Sequence, residues 1–264
     1  MEAAMSVPTV GRLLRSWRDA RRLSQMELSL EAEVSTRHLS FVETGRSQPS
    51  RELIVRLAEH LDVPLRERNA LLLAAGYAPA YPETPLDTAA MAPVRDALDR
   101  LLAGHEPFPA IVVNRRWELI AANKPALAIM GEGVSEALLT PPVNAMRVAL
   151  HPEGMAPRIV NVAEYGAQVI EHVHRQALAT GDPALLVLER ELRSYPGIPR
   201  ATQRDPNAGL FVPMVIRTPQ GELSFFNTVT TFGTALDITI SELMIESLYP
   251  ADAATASIVR ATWG

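Results

Sequence analysis

The stretch SQMELSLEAEVSTRHLSFVETGRSQPS, residues 24–50, reads as two short helices joined by a tight turn. Ser24 and Glu27 have the Ser-x-x-Glu spacing of a capping box, in which hydroxyl and carboxylate each satisfy a free backbone amide, so a helix begins at Gln25. Val34 and Ser35 form a turn after Glu33, and Ser35 can cap a further helix over Thr36 to Thr44, closed by Gly45. Upstream, Val10, Leu13, Leu14, Trp17 and Ala20 recur at three- and four-residue spacing, which predicts an amphipathic helix over Gly11 to Arg22. Downstream, Pro49 and Ser50 introduce a helix over Arg51 to Leu61, and Pro64 opens a fifth that Gly76 closes. The expected unit, residues 1–76, is therefore all-α with five helices.

The chain has 264 residues, more than one ordinary domain, and its 47% hydrophobic content is too high for a disordered chain. The absence of cysteine removes disulfide scaffolds, cysteine-ligated zinc, iron-sulfur clusters and thiol catalysis. No run approaches the roughly 18 to 20 apolar residues of a membrane span, and Met1 to Ser16 lacks a signal-peptide apolar stretch, so a cytoplasmic location is expected with no membrane partner. Net charge is −5, but residues 1–78 carry 11 Arg against 10 acids, a net of +1, while the remainder carries −6. This asymmetry is weak. Of the 25 cations only Lys124 is not arginine; the arginine fork suits phosphate and base edges as well as surface pairs.

Residues 77–92, YAPAYPETPLDTAAMA, hold three prolines without apolar periodicity and read as a linker. Residues 93–264 form the second expected domain, α/β with an antiparallel sheet, which makes the chain α+β overall. Pro93 to Ala103 predicts a helix ended by Gly104; Ala110 to Val113 and Trp117 to Ala121 predict a hairpin; Asn123 can cap a helix over Pro125 to Met130. Helices are expected over Asn161 to Thr180 and from Asp182-Pro183 to about Arg193. Leu210 to Arg217, Glu222 to Phe232 and Ile238 to Leu248 are rich in β-branched and aromatic residues and predict closing strands, with Pro219-Gln220-Gly221 as the first turn.

Two short helices across a tight turn are the geometry by which a helix-turn-helix protein presents its second helix to a major groove. Residues 24–50 closely resemble the DNA-binding domain of Xre-type (phage repressor-like) bacterial regulators, over about residues 10 to 76. The likeness rests on Ser24-Gln25, Leu28, Val34-Ser35, Leu39, Val42, Glu43, Gly45-Arg46 and Pro49-Ser50, all in register. Leu39 and Val42 lie on the inward stripe of the third helix, which leaves Thr36, Arg37, Ser40 and Phe41 as candidate base readers on the other side. Arg37 suits guanine O6 and N7, and Thr36 and Phe41 suit a thymine methyl. Gln25 at a helix start, and Thr44 and Arg46 after the third helix, are candidate phosphate contacts. The resemblance further implies that Arg18 pairs with Glu43 and orients the recognition helix. The chain departs from the family at Glu33, where the turn usually carries glycine to reach left-handed dihedrals.

A hairpin, an Asn-capped helix, further helices and closing strands resemble a PAS-like sensor fold. With NAMRVALHPEGM at 144–155 and LERELRSYPG at 188–197, the chain resembles the MmyB-like group of regulators. That resemblance implies a small-molecule pocket, with fatty-acyl ligands a suspected class and no resident cofactor. Such a ligand needs an apolar cavity and a cation for its head group; Trp117, Ile129, Met130, Met146 and Phe226 are candidate liners and Arg147, open to pairing with an acid such as Glu153, the candidate cation.

Enzymatic readings have little support. His172 and His174, two residues apart, point about 200° from each other on a helix and cannot share a metal; they are expected in solvent. His151, before Pro152, stands without a haem-pocket pattern, and neither a nucleophile elbow nor a phosphate loop occurs. No catalytic or metal-binding residue is assigned. The expected protein is a homodimeric DNA-binding transcription regulator that reads a double-stranded operator and senses a small apolar ligand. The alternative is a small-molecule-binding or catalytic PAS-like domain whose helical unit serves only dimerisation.

Overall fold

A computed structural model describes residues 8–199 and 211–264. The chain forms two units, one of residues up to Glu83 with 235–238, the other of residues 84–234 with 239–264.

In the first unit, α1 (Val10–Ala20), α2 (Gln25–Glu31), α3 (Thr36–Glu43), α4 (Arg51–His60) and α5 (Leu65–Ala74) follow each other closely. Their starts are set by side-chain oxygens. Ser24 accepts from the Glu27 amide while Glu27 accepts from the Ser24 amide, Ser35 accepts from the His38 amide and Ser50 from the Leu53 amide. Apolar positions spaced at three and four then meet in one core, where Leu14, Leu28, Leu39, Ile54, Leu57 and Leu71 are buried. The turn between α2 and α3 requires a left-handed residue, and Glu33 takes φ 52° there; after α3, Gly45 takes φ 74°.

Two contacts decide where α3 sits. A β-carbon at Gly11 of α1 would lie 2.3 Å from the Val42 carbonyl oxygen, so the helices approach at a distance only glycine allows. Two α1 turns onward, Arg18 Nε donates to Glu43 Oε1 at 2.7 Å and its Nη2 to Oε2 at 3.0 Å. Both side chains are buried, Glu43 to 2% exposure, and the remaining guanidinium nitrogen donates to the Leu23 carbonyl at 2.7 Å and reaches Asp19. The stretch after α5 is fastened to this unit. Tyr77 donates its hydroxyl hydrogen to the Pro49 carbonyl, and the Asn69 amide accepts from the Ala80 and Tyr81 amides while donating to the Tyr81 carbonyl. The chain thus divides between Glu83 and Thr84, inside the proline-rich segment 77–92.

The second unit begins with a 3-10 turn (Ala89–Met91) and continues α6 (Ala92–His105), β1 (Ala110–Val113), β2 (Leu119–Ala122), α7 (Lys124–Gly131), α8 (Glu136–Leu139) and α9 (Ala145–Leu150). After a 3-10 turn at Ala156–Arg158 come α10 (Val162–Thr180), α11 (Pro183–Leu192), β3 (Met214–Thr218), β4 (Gly221–Thr231), α12 (Ile238–Ser241), β5 (Met244–Pro250) and α13 (Ala253–Trp263). The sheet is antiparallel throughout, ordered β2-β1-β5-β4-β3. Strand alternation gives it two lined faces. Ala110, Val112 and Ile245 pack with Leu98 and Leu102 of α6, whereas Ile111 and Val113 pack with Trp117 and with α9, α10 and α11. Asn123 is buried at the end of β2; its Oδ1 accepts from Ala126 and Ala110 amides and its Nδ2 donates to the Phe108 and Leu102 carbonyls, so one side chain caps α7 and ties it to β1.

Three differences from expectation stand out. Ile238 to Leu248 is not one strand; Ile238–Ser241 is a helical turn and β5 starts at Met244, because β-branched composition marks a buried surface and not a fixed backbone. Helix α13 went unread, although Asp252 accepts from the Thr255 amide as an N-cap. Leu210, the expected start of the first closing strand, lies outside the described residues; the strand is observed from Met214.

Removing one partner of a buried ion pair leaves an uncompensated charge, worth about 3 to 5 kcal/mol. Arg18→Met should therefore lower stability by that order in urea unfolding, and Arg18→Met with Glu43→Leu should recover much of the loss. Glu33→Gly should raise stability by about 1 kcal/mol in the same measurement, since it relieves a β-carbon in left-handed backbone.

Candidate nucleic-acid interface and ligand pocket

Helix α3 turns Leu39 and Val42 inward and leaves Thr36 and Arg37 exposed, with Ser40 and Phe41 half-buried. The Arg37 guanidinium lies over the Phe41 ring, 5.4 Å from its centroid, which joins a cation and an aromatic face one helical turn apart. The Thr36 hydroxyl is 2.8 Å from the Ser29 hydroxyl of α2; part of its polarity is used to join the two helices. Thr44, exposed at the end of α3, donates its hydroxyl hydrogen to the Ser40 carbonyl at 2.7 Å. Arg46 is exposed and has no side-chain partner among the described residues. Gln25 Nε2 donates to Glu43 Oε2 at 2.8 Å, so the Arg18–Glu43 pair carries a third member from the start of α2. The sequence reading missed this link; the shared carboxylate is visible only once α1, α2 and α3 are assembled. The outcome is a shallow face of one arginine, one aromatic ring and small hydroxyls, with a second arginine at its edge.

The second unit holds a cavity of about 60 Å³, partly open to solvent. Ile129 and Met130 of α7 and Met146 of α9 line it, three of the residues expected there. Trp117, Arg147 and Phe226 do not. Trp117 is buried in the core, donates Nε1–H to Gln176 Oε1 at 2.7 Å and packs edge-on against His172. Phe226 stacks between Tyr249 and Phe211. Arg147 is engaged with an acid other than Glu153: its Nε and Nη2 both donate to Glu191 at 2.8 Å, which holds the Glu191 carboxyl below its usual range, and Tyr195 donates its hydroxyl hydrogen to the same carboxylate. The α9–α11 packing brings this bidentate partner close, and Arg147 does not line the cavity.

The histidines also differ from expectation. His174 Nδ1 lies 2.9 Å from Glu189 Oε2, and His172 is held low in pKa by burial, so neither is a free solvent group. His151 takes a hydrogen bond on Nδ1 from the Glu153 amide and packs on Tyr195. Among the described residues, no group of three or more His, Asp or Glu is placed to hold a metal ion, and no helix is long and apolar enough to cross a membrane. The polar residues of the cavity were not foreseen. They are Tyr165 of α10 and Glu246 of β5, and Glu246 looks like an ordinary strand acid until sheet register turns it inward beside Asn227.

Residues 94–261 match the family described as the MmyB-like transcription regulator ligand binding domain, and residues 9–71 match a helix-turn-helix domain. No curated protein matches the chain. Among solved structures, the crystal structure of the clp gene regulator ClgR from Corynebacterium glutamicum is similar at 26% identity, covering 37% of this chain and 90% of that one with a TM-score of 0.23. The structure of an RNA-binding light-oxygen-voltage receptor is similar at 14% identity over 96% of this chain with a TM-score of 0.28, and this chain spans 62% of it. Superpositions that loose carry no argument. The match to the first family covers more than half of the chain, and with a helix-turn-helix DNA-binding domain ahead of that ligand-binding domain, the chain belongs to the MmyB-like transcription regulators.

Proposed function

We propose that the protein is a sequence-specific, homodimeric transcription regulator whose second, PAS-like unit senses a small apolar ligand of the fatty-acyl class. The observation that carries this reading is the exposed Thr36-Arg37 face of α3, fixed from behind by the buried Arg18–Glu43 pair. A side chain that reads a base must be held in place by contacts that do not themselves use it, and α3 meets that condition. Arg37 is the principal reader, through the two acceptors of a guanine, with Thr36, Ser40 and Phe41 beside it; Gln25, Thr44 and Arg46 contact the flanking phosphates. In a dimer the two α3 helices reach half-sites one helical turn apart, about 34 Å, on a near-palindromic operator. Ligand in the cavity shifts the spacing of the two helices, with a coupling of about 1 to 3 kcal/mol. The carbon-lined walls of the cavity support an apolar ligand. The chain acts by binding and carries out no catalytic step.

A gel shift of the full chain on its own upstream DNA tests the reading. Retardation that persists against excess unrelated duplex supports it, whereas none at low salt, where phosphate contacts are strongest, sinks it in favour of a helical unit used only for dimerisation. Arg37→Ala should lower the preference for operator over unrelated DNA about ten-fold or more in competition, with phosphate-driven binding retained. Arg46→Ala should weaken binding to every duplex alike and reduce the slope of log affinity against log salt by about one.

A further inference from the structure

Of the eight residues of α3, only Leu39, Val42 and Glu43 are buried. At about 100° per residue these three centre on one side of the helix, and the direction opposite to them passes between Arg37 and Phe41. Helical side chains lean toward the start of their helix, which carries the Phe41 ring over the turn that bears Arg37. The Arg37 guanidinium carbon stands 5.4 Å from the centroid of that ring. Arg37 makes no hydrogen bond or ion pair among the described residues, whereas Arg18, Arg21 and Arg68 of the same unit all donate to carbonyl or carboxylate oxygens. The ring is therefore what holds this arginine, and the donors of its fork stay open.

A fork that binds guanine O6 and N7 together lies in the plane of that base. A ring set on the fork stands out of that plane, and its 5.4 Å falls between one and two base-pair rises of about 3.4 Å, which puts the ring at the edge of the neighbouring pair. In the major groove that edge offers hydrogen-bonding groups and, at thymine alone of the four bases, a methyl group. A phenyl ring satisfies none of the former and packs on the latter, so it favours a pair that carries the methyl. Attraction between guanidinium and ring also grows as water leaves, so docking strengthens the stack and fixes the fork in the plane that guanine requires. We propose that Arg37 and Phe41 read two adjacent base pairs as one unit: a guanine on the Arg37 fork and, in the next pair, a 5-methylpyrimidine against the Phe41 ring, with Phe41 the positioning residue for Arg37. This assignment rests on α3 entering a major groove, and deepens that reading by naming the sequence it prefers there.

The test begins with duplexes selected by the full chain from a random-sequence pool, the tightest of which is then remade with altered bases. Its half-site should hold a guanine whose replacement by 7-deazaguanine lowers affinity about ten-fold. Uracil in place of the flanking thymine removes only the methyl and should cost about four-fold. A G·C pair at that position should cost more, and 5-methylcytosine within it should recover part of the loss. Phe41→Leu keeps an apolar side chain without a ring face; it should lower the preference for guanine over adenine several-fold with melting unchanged, and in the Arg37→Ala background should change that preference no further. Uracil bound as tightly as thymine, a guanine preference unaltered in Phe41→Leu, or selected half-sites without a guanine beside a thymine-bearing pair overturns the paired assignment while α3 remains a DNA-reading helix. Enrichment of no duplex at all removes the DNA-binding reading and this assignment together. If a melting curve shows Phe41→Leu unfolded, the uracil and 5-methylcytosine duplexes decide with the unaltered chain.

Discussion

The buried pair between Arg18 and Glu43 is the constraint on which the placement of α3 and its outer face depends. A bidentate arginine-carboxylate contact fixes distance and rotation at once, and here it joins the first helix to the end of the third with Gln25 attached from the second. Gly11 sets the closeness of the same two helices, because any β-carbon there would collide with the α3 backbone. Steric contact therefore decides the separation and electrostatics decides the register. Neither uses a residue on the outer face of α3, which leaves Arg37 and Phe41 available.

The second unit uses polar groups in two ways. At Glu191 the carboxylate meets both Arg147 and Tyr195, which joins α9 to α11, and Asn123 joins α7 to β1 with both ends of its amide engaged. In the cavity two polar side chains, Tyr165 and Glu246, stand among apolar ones, with Glu246 accepting from Asn227.

Much of the first unit was legible before any coordinates. Capping serines at 24, 35 and 50, glycine after α3 and apolar spacing of three and four are local signals, and each helix boundary follows from residues within a few positions of it. The left-handed turn at Glu33 was legible through the resemblance, which places a glycine at that position, and the backbone keeps the dihedral with a glutamate there. In the second unit local signals gave out sooner. Ile238 to Ser241 resembles a strand in composition and is a helical turn, and short helices such as α8 and α9 are too brief to show a period.

What the sequence by itself determined is the kind of protein: five helices, three of them started by serine caps, with an arginine-bearing second member of the helix pair, joined to a mixed domain with an antiparallel sheet. Periodicity and caps act over four residues, a range in which sequence and structure are nearly the same thing. What only the tertiary structure decided is which side chains line the cavity. Trp117 and Arg147 have the chemistry of liner and clamp but lie elsewhere, engaged by Gln176 and Glu191 from distant segments. Glu246, an unremarked strand acid, enters the cavity because pairing of β5 with β1 and β4 turns it inward, and strand register is set by contacts between residues far apart in the chain.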